Sequence, residues 1–523
     1  MEQNETQQLE TQQLETRQLE TQPQEDRLTK RNLWSYTLAS IGRDTAAGLF
    51  SSYLMTFVLY TKNLTDAQFS LVSMAIVAAR LFDGFNDPIM GNIIEVTRTK
   101  WGKFKPWITI GMIGSAIVFY FSFSNAIEGW DYAIFFTVMY FIYSIVFTMN
   151  DIAYWGMVPA LASRKADRDK LTSQAVLFAG IGGAITGVVV PTFTAGDLTI
   201  GGSAIIAYRT IAIIFIALFL GAQMITLLGV KEKPLPPKSE ATVNKVGIKT
   251  IIQTIRNNDQ LSWMIIIFLL STVGQGLLMN GLGINYIFFE FGYDGKLFTI
   301  FSILGGLAAG IVMIFYTPIS KRFKRDQMMR LSTIGIVGGC AAMLLVGLIV
   351  PASAGMLKFG LLMATNLFVF GGQSTYYLII MICIANTVEY NEWKTGARAE
   401  GIIFSVRPFI TKVGWAIINF MTLIIFLLTG VRNYTNQIAD YENAAAKGMD
   451  IATKTEGIKN VLAQVPSSKN TALLLCMTVI PAILGLISYY YYNKKYNITE
   501  ERYEEIQAQL AARKAAVTIE ETP

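Results

Sequence analysis

Residues 79–107 read ARLFDGFNDPIMGNIIEVTRTKWGKFKPW. An apolar stretch carrying Asp83 and Asp87, four residues apart, gives way to a loop with four cations, Arg98, Lys100, Lys103 and Lys105. Lys and Arg concentrate in the cytoplasmic loops of membrane proteins, so this reads as a span running into such a loop. The same alternation repeats outward in both directions. A spanning helix needs about 20 mostly apolar residues. Twelve runs qualify, at 34–61, 67–94, 107–125, 131–159, 173–194, 205–229, 261–289, 297–318, 329–350, 357–388, 400–429 and 470–493. Basic clusters follow the even-numbered spans: Arg164, Lys165, Arg168 and Lys170, then Lys231, Lys233 and Lys238, then Lys321, Arg322, Lys324 and Arg325, then Lys394 and Arg398. The alternate loop 126–130 has no Lys or Arg, and 290–296 has only Lys296. The pattern places both termini in the cytoplasm.

Composition agrees. Of 523 residues 52% are hydrophobic and 15% charged, against roughly 25% charged in a soluble domain, and the mean hydropathy is +0.42. The net charge of +6 sits in the loops rather than in a basic domain, so nucleic acid is not an expected partner. Histidine is absent, which excludes a Ser-His-Asp triad, an HExxH zinc site and an imidazole proton relay. Cys340, Cys383 and Cys476 lie in apolar runs and suggest neither disulfides nor a metal site. No P-loop or GxSxG motif is present, so an enzyme is not expected. Residues 1–32, built largely on a Gln/Glu/Thr-rich five-residue unit, read as a disordered cytoplasmic tail. Residues 495–523 read as a cytoplasmic tail, either solvated or, from Thr499 to about Arg513, a short charged helix. The basic, proline-containing segment 230–260 separates a six-span half at 33–229 from another at 261–494. The expected fold is an all-α integral membrane protein with twelve helices in two halves, the major facilitator layout, in a bacterial cytoplasmic membrane. The small-residue pairs Gly183/Gly187 and Gly306/Gly310 read as packing within a monomeric bundle.

Ionisable groups at membrane depth are costly and mark function. Four aspartates lie within the spans: Asp44, Asp83, Asp87 and Asp151. Arg43, Arg80, Arg407 and Lys412 accompany them. The second half has no comparable acid, because Glu389, Glu392 and Glu400 sit at a span margin, so a coupling-cation site is expected in the first half. Asp83 and Asp87 share one helical face and repel unless a cation or proton intervenes. Asn86 adds a neutral oxygen, and Pro88 frees a carbonyl one turn earlier. These are ligands for a hard cation such as sodium. The other reading is that Arg80 and Lys412 bridge the aspartates to hold helices together, and Arg80 itself reads as a structural partner of Asp83. Asp44 and Asp151 can each accept two sugar hydroxyls. Trp155, one turn past Asp151, offers a flat apolar face or, alternatively, an interfacial anchor. Asn150 and Tyr154 flank the same turn.

Residues 79–107, TMNDIAYWGMVPAL at 148–161 and EYNEWKTGARAEGIIFSVRPFITKVG at 389–414 together resemble the glycoside–pentoside–hexuronide:cation symporter family, of melibiose–sodium permease type, within the major facilitators. The resemblance runs from about residue 32 to 495 and leaves 430–469 without explanation. It implies a sodium site at Asp83, Asn86, Asp87 and Thr148. It implies a sugar site at Arg43, Asp44, Asp151 and Trp155, with Lys412 bridging the two. No prosthetic cofactor is implied; the coupling cation is sodium, with a proton or lithium as alternatives. A sugar-contacting Arg in the family's span 5 is matched by Val176, and a Gln in span 11 by Arg407. Arg407 therefore reads either as a clamp for an acidic sugar such as a hexuronide or as a counter-ion for Asp44 or Asp151. The cytoplasmic groups Arg98, Lys103, Glu392 and Arg398 read either as an inner gate that pairs across the halves or as charges that only enforce topology. The expected function is symport of a sugar or glycoside with a cation. The competing readings are a sodium-coupled lysolipid carrier and a non-transporting sugar sensor.

Overall fold

The computed structural model describes residues 28–162, 164–232 and 248–520. The first 27 residues and most of the central loop lie outside them. Helices dominate the described chain; the nearest thing to a sheet is an isolated bridge between Thr99 and Gly102. Among the described residues, eleven helices are long and apolar enough to cross a membrane. The remaining span, the first, is helical from 30 to 61 and is interrupted by a π turn at Leu49–Tyr53. The others are span 2 (Asp66–Val96), span 3 (Lys105–Phe123), span 4 (Gly129–Leu161), span 5 (Ala166–Thr194), span 6 (Ala204–Gly229), span 7 (Asp259–Phe291), span 8 (Gly295–Ser320), span 9 (Arg325–Ile349), span 10 (Met356–Thr395), span 11 (Glu400–Thr429) and span 12 (Ser467–Lys495). Span 7 also contains a π turn, Leu277–Leu282, so the first helix of each half is widened at a corresponding place.

Local chemistry sets the starts. Thr65 and Gln68 form a reciprocal capping box at span 2, and Pro106 sits in the first turn of span 3, where its missing N–H costs nothing. Span 1 packs closely on spans 5 and 6. A Cβ at Gly42 would lie 2.5 Å from the Leu218 carbonyl oxygen, and one at Gly182 would lie 2.5 Å from that of Ile41. This corrects the expectation for the small-residue pairs, since Gly183, Gly187, Gly306 and Gly310 meet no atom within 4 Å.

The two halves are sealed at the end opposite the basic loops. There Tyr60 donates to Asn285 Oδ1 at 2.8 Å, Thr192 and Thr299 share a hydrogen bond of 2.8 Å, and Gly295 N donates to the Ala195 carbonyl at 3.3 Å. At the basic end, Arg98 and Lys103 are satisfied inside the first half, Arg98 by the Glu95 and Thr97 carbonyls and Lys103 by the Glu95 carboxylate. Arg398 binds Glu389 at 3.2 Å, Glu392 at 2.9 Å and Glu400 at 3.3 Å inside the second half. These bonds lie within each half in a shape sealed at the opposite end, so pairing across a closed inner gate stays an expectation for the other shape.

Two further expectations change. Segment 430–469 is not a loop but two helices, Arg432–Ala446 and Ile451–Ala463, which form a cap over the sealed end. The chain after span 12 is not a solvated tail. A helix begins at Glu500 and buries Ile506 and Leu510 among the basic-end side chains of the second half, with Trp393 donating to Gln509 at 2.6 Å.

The cap holds a buried ion pair. Glu442 is fully buried and accepts from Lys454 Nζ at 3.3 Å and from the Ala204 N–H at 2.6 Å, while Lys454 also donates to the Gly202 carbonyl at 2.7 Å. Burial pushes the Glu442 carboxyl above its ordinary value, opposed by the Lys454 ammonium and the Ala204 amide. Removing one member strands the other, which costs about 3–5 kcal/mol for a buried pair. Glu442→Ala is expected to raise hydrogen exchange throughout 432–463 and at Ala204, with exchange in spans 3 and 4 unchanged; unaltered exchange in the cap would refute the assignment.

Candidate functional site

The charged residues of the spans gather in two adjoining clusters. Asp44 lies 14 residues into span 1 from Lys30, and Asp151 lies 10 residues before Leu161. At 1.5 Å per residue both are about 15–20 Å from the basic end, near the middle of a hydrocarbon core about 30 Å thick.

The first cluster is built on Arg43. Its guanidinium is only 4% exposed and forks between two carboxylates, meeting Asp151 at 2.8 Å and Asp44 at 2.9 Å. The aspartates are 28% (Asp44) and 40% (Asp151) exposed. With the opposite end sealed, water reaches them from the basic end. The guanidinium carbon lies 4.6 Å from the Tyr154 ring centre and 5.0 Å from that of Trp155, where the ring faces favour a cation. Trp155 thus stands beside the carboxylates rather than apart from them. Tyr154 anchors the cluster from behind. It stacks on Tyr36 with centroids 4.3 Å apart, donates to the Tyr36 carbonyl at 2.6 Å and shares a hydrogen bond with Ser40. Tyr154 and Asn150 are fully buried; Asn150 donates to Ile108 O and accepts from Gln223. Both support the helices rather than line the cavity.

The second cluster joins spans 2, 4 and 11. Asp83 accepts from Ser144 and lies 3.8 Å from Arg80 and 3.9 Å from Lys412. Asp87 pairs with Lys412 and accepts from Thr148 at 3.3 Å. Asn86 donates to the Ser144 carbonyl at 3.5 Å. The lysine ammonium thus occupies the space between the two acids. Asp83, Asn86, Asp87, Thr148, Arg80 and Lys412 come together as the sequence suggests. Ser144 escapes the sequence reading, although it lies one turn before Thr148 on the same face of span 4.

Arg407 does not neutralise Asp44 or Asp151, which Arg43 already does. Its guanidinium donates to the Tyr377 hydroxyl at 2.6 Å and is otherwise exposed. Ser51, Ser52, Trp415 and Asn419 also escape the sequence reading. With residues of span 7 they enclose a cavity of about 30 Å³ between the halves, which is room for a water. Small hydroxyls and amides give no charge signal, so a search for charges in apolar runs passes over them.

Residues 35–500 match the family described as MFS/sugar transport protein. The chain belongs to that family. The sequence is 28% identical over 493 residues to the raffinose carrier protein of Pediococcus pentosaceus, covering 91% of this chain and 70% of that one. It is 27% identical to the lactose permease of Lactobacillus delbrueckii subsp. bulgaricus, covering 91% and 72%. It is 26% identical to the isoprimeverose transporter of Lactiplantibacillus pentosus, covering 73% and 77%. Among solved structures, a bacterial homologue of the lysosomal transporter Spinster, inward-facing and unoccupied, matches with a TM-score of 0.56 at 13% identity over 89% of this chain and 97% of its own. The nucleoside transporter NupG matches at 0.54 and 14%, over 82% and 99%. These likenesses establish the major facilitator fold. This member of the MFS/sugar transport family is a multi-pass membrane transporter and not an enzyme.

Arg43 is the hinge-pin of the site, and its removal leaves two carboxylates facing each other. Because both are partly exposed, the full cost of breaking a buried pair is discounted. Arg43→Met is expected to lower stability by about 1–3 kcal/mol, read as a lower thermal midpoint in detergent. An unchanged midpoint would mean that the fork contributes nothing to holding spans 1 and 4.

Proposed function

We propose that this transporter is a symporter, carrying a sugar inward with one monovalent cation by alternating access in a bacterial cytoplasmic membrane. The basic end and both termini face the cytoplasm, as the distribution of Lys and Arg in the loops supports. The observation that carries the coupling is electrostatic. The two clusters hold three cations, Arg43, Arg80 and Lys412, against four carboxylates, Asp44, Asp83, Asp87 and Asp151. The surplus is one negative charge, which one monovalent cation balances.

Sodium is the first choice. The oxygens of Asp83, Asn86, Asp87 and Thr148 suit a hard cation by analogy with other oxygen-ligated ions. A proton on one carboxylate is the second choice. A cation at Asp83 and Asp87 frees the Lys412 ammonium and firms the contact between spans 2, 4 and 11. A sugar then binds with hydroxyls on Asp44 and Asp151 and a ring face on Trp155. Each ligand favours the shape in which the other's site is complete, and that mutual preference is the coupling. The halves then rock to turn the site from one side to the other. Relatives described as carriers of raffinose, lactose and isoprimeverose support a saccharide as the cargo.

In proteoliposomes, the Asp83→Asn/Asp87→Asn variant is expected to lose accumulation against a gradient in a panel of neutral glycosides and glycuronides, while the parent accumulates at least one of them. Accumulation driven by a sodium gradient at fixed pH selects sodium; accumulation driven only by a pH gradient selects the proton. Undiminished accumulation in the double variant overturns the coupling site.

A specific observation favours an acidic sugar among the substrates. The polar side-chain partner of Arg407 is a neutral phenol, which leaves its charge for an anion, and a guanidinium grips a carboxylate with two parallel bonds. Arg407→Gln is expected to reduce glycuronide uptake about tenfold or more, one charge-assisted hydrogen bond being worth about 1.5–3 kcal/mol. Neutral glycoside uptake is expected to stay within about twofold. Equal loss of both removes the clamp.

A further inference from the structure

The cap at 430–469 belongs by sequence to the second half, between spans 11 and 12, yet its polar side chains fasten to the first half. Arg432, 3% exposed, donates to the carbonyls of Leu64 and Thr65, the latter at 2.9 Å, and pairs with Asp66 at 3.2 Å. Asn436 donates to the Leu64 carbonyl at 2.8 Å. Asn443 donates to the Thr61 carbonyl at 2.9 Å. Asn63 donates to Asp440 at 2.8 Å. Together with the Glu442 and Lys454 contacts to residues 202–204, this bolts the cap to the loop between spans 1 and 2 and to the start of span 6.

The cap cannot stay behind when the halves part. Only Gly430 and Val431 separate it from span 11, and only residues 464–466 separate it from span 12. Chains of two or three residues reach about 10 Å at most. Lys469 at the start of span 12 also donates to the Thr429 carbonyl at the end of span 11, at 2.6 Å, so both roots of the cap are tied to each other. The cap must follow the second half, and its bonds to the first half must break whenever the sealed end opens.

We propose that the cap is an outer-face latch: a piece of second-half chain that locks onto the first half in the cytoplasm-open shape and is released in each transport cycle. The seam is suited to repeated opening. Its polar fasteners are amides, carbonyls and paired charges, which water accepts on release, beside a smaller apolar part at Ile438, Ile458 and Val461. A cavity of about 740 Å³, lined by Lys62, Gln68, Glu128, Asp440, Asn443 and Lys447, runs beside the contacts and admits solvent at the point where separation begins.

The test uses the full chain in detergent and requires no sugar. Cys476 is replaced by Ser, leaving the two buried native thiols. A reporter Thr299→Cys is placed at the buried Thr192–Thr299 contact, and its alkylation rate by a soluble thiol reagent is followed. Loosening the latch with Asn436→Ala/Asn443→Ala removes three hydrogen bonds to the first half, one of them long at 3.4 Å, and is expected to raise the rate about tenfold. Joining Asn63→Cys to Asp440→Cys with a reducible thiol cross-linker is expected to suppress labelling at least tenfold, with recovery on reduction. An unchanged rate in the loosened variant, or undiminished labelling after complete cross-linking, overturns the latch. Either result leaves the sugar and cation reading untouched.

Discussion

A guanidinium wedged between two carboxylates, and beside it an ammonium between two more, is what the packing of the bundle serves. Charges at this depth are tolerable only when paired, so the helices that carry them must be held at fixed separations. Gly42 and Gly182 let span 1 approach spans 6 and 5 until backbones nearly touch. That approach fixes the base from which Arg43 reaches across to span 4. The Tyr36–Tyr154 stack and its reciprocal hydrogen bonds then prevent the opposing turn from sliding. The pairing remains incomplete: four acids face three cations. That surplus of one acid is the feature on which the proposed coupling to a cation rests.

The π turns in spans 1 and 7 connect this chemistry to the shape of the whole. A π turn inserts an extra residue and rotates the C-terminal part of a helix relative to its N-terminal part. In span 1 the turn lies just past Asp44 and just before the segment that ends at Tyr60; in span 7 it directly precedes Asn285. Tyr60 and Asn285 meet across the two halves. In span 1 the widened turn therefore separates the part that carries Arg43 and Asp44 from the part that seals, and in span 7 it lies just before the sealing residue Asn285. The small cavity walled by Ser51, Ser52, Trp415 and Asn419 lies beside the span 1 turn.

Much of this is legible in the sequence because the signals are large. Twelve apolar runs, the Lys and Arg alternation and acids within spans are each costly features that a membrane does not allow by accident. Asp83 and Asp87 announce the second cluster, and the spacing of Asp151 and Trp155 announces the first. Three kinds of feature stay hidden. Arg43 reads as one member of the sugar site rather than its centre, because a distance of 108 residues in sequence conceals a 2.8 Å contact. Ser144, Ser51 and Asn419 are polar without charge and are common enough in apolar helices to raise no alarm. The cap is invisible because Glu442 and Lys454 look like solvated residues in a polar segment, and only tertiary packing buries them. The gate pairing belongs to the opposite shape: with the seal at the far end, Arg98 and Lys103 bind within the first half and Arg398 within the second, and pairing across the halves is expected only when the basic end closes.

An alternating carrier imposes a constraint on its own stability that ordinary domains escape. The shape seen here must be firm enough to hold its sealed end closed, yet lie within a few kcal/mol of the opposite shape so that ligands with modest differential affinity can shift the balance. Apolar burial contributes about 25 cal/mol per Å², and the cap does bury Ile438, Ile458 and Val461, but a seam apolar throughout would make one shape too deep to leave. A seam of hydrogen bonds and paired ions differs. Each bond contributes only about 1 kcal/mol net, and a buried ion pair gains little over its hydrated parts, while each remains strict about geometry. Such a seam is specific when closed and easily opened. The polar fastening of the cap and the paired charges at mid-membrane thus answer one physical demand, a structure defined sharply in each of its shapes with little free energy between them.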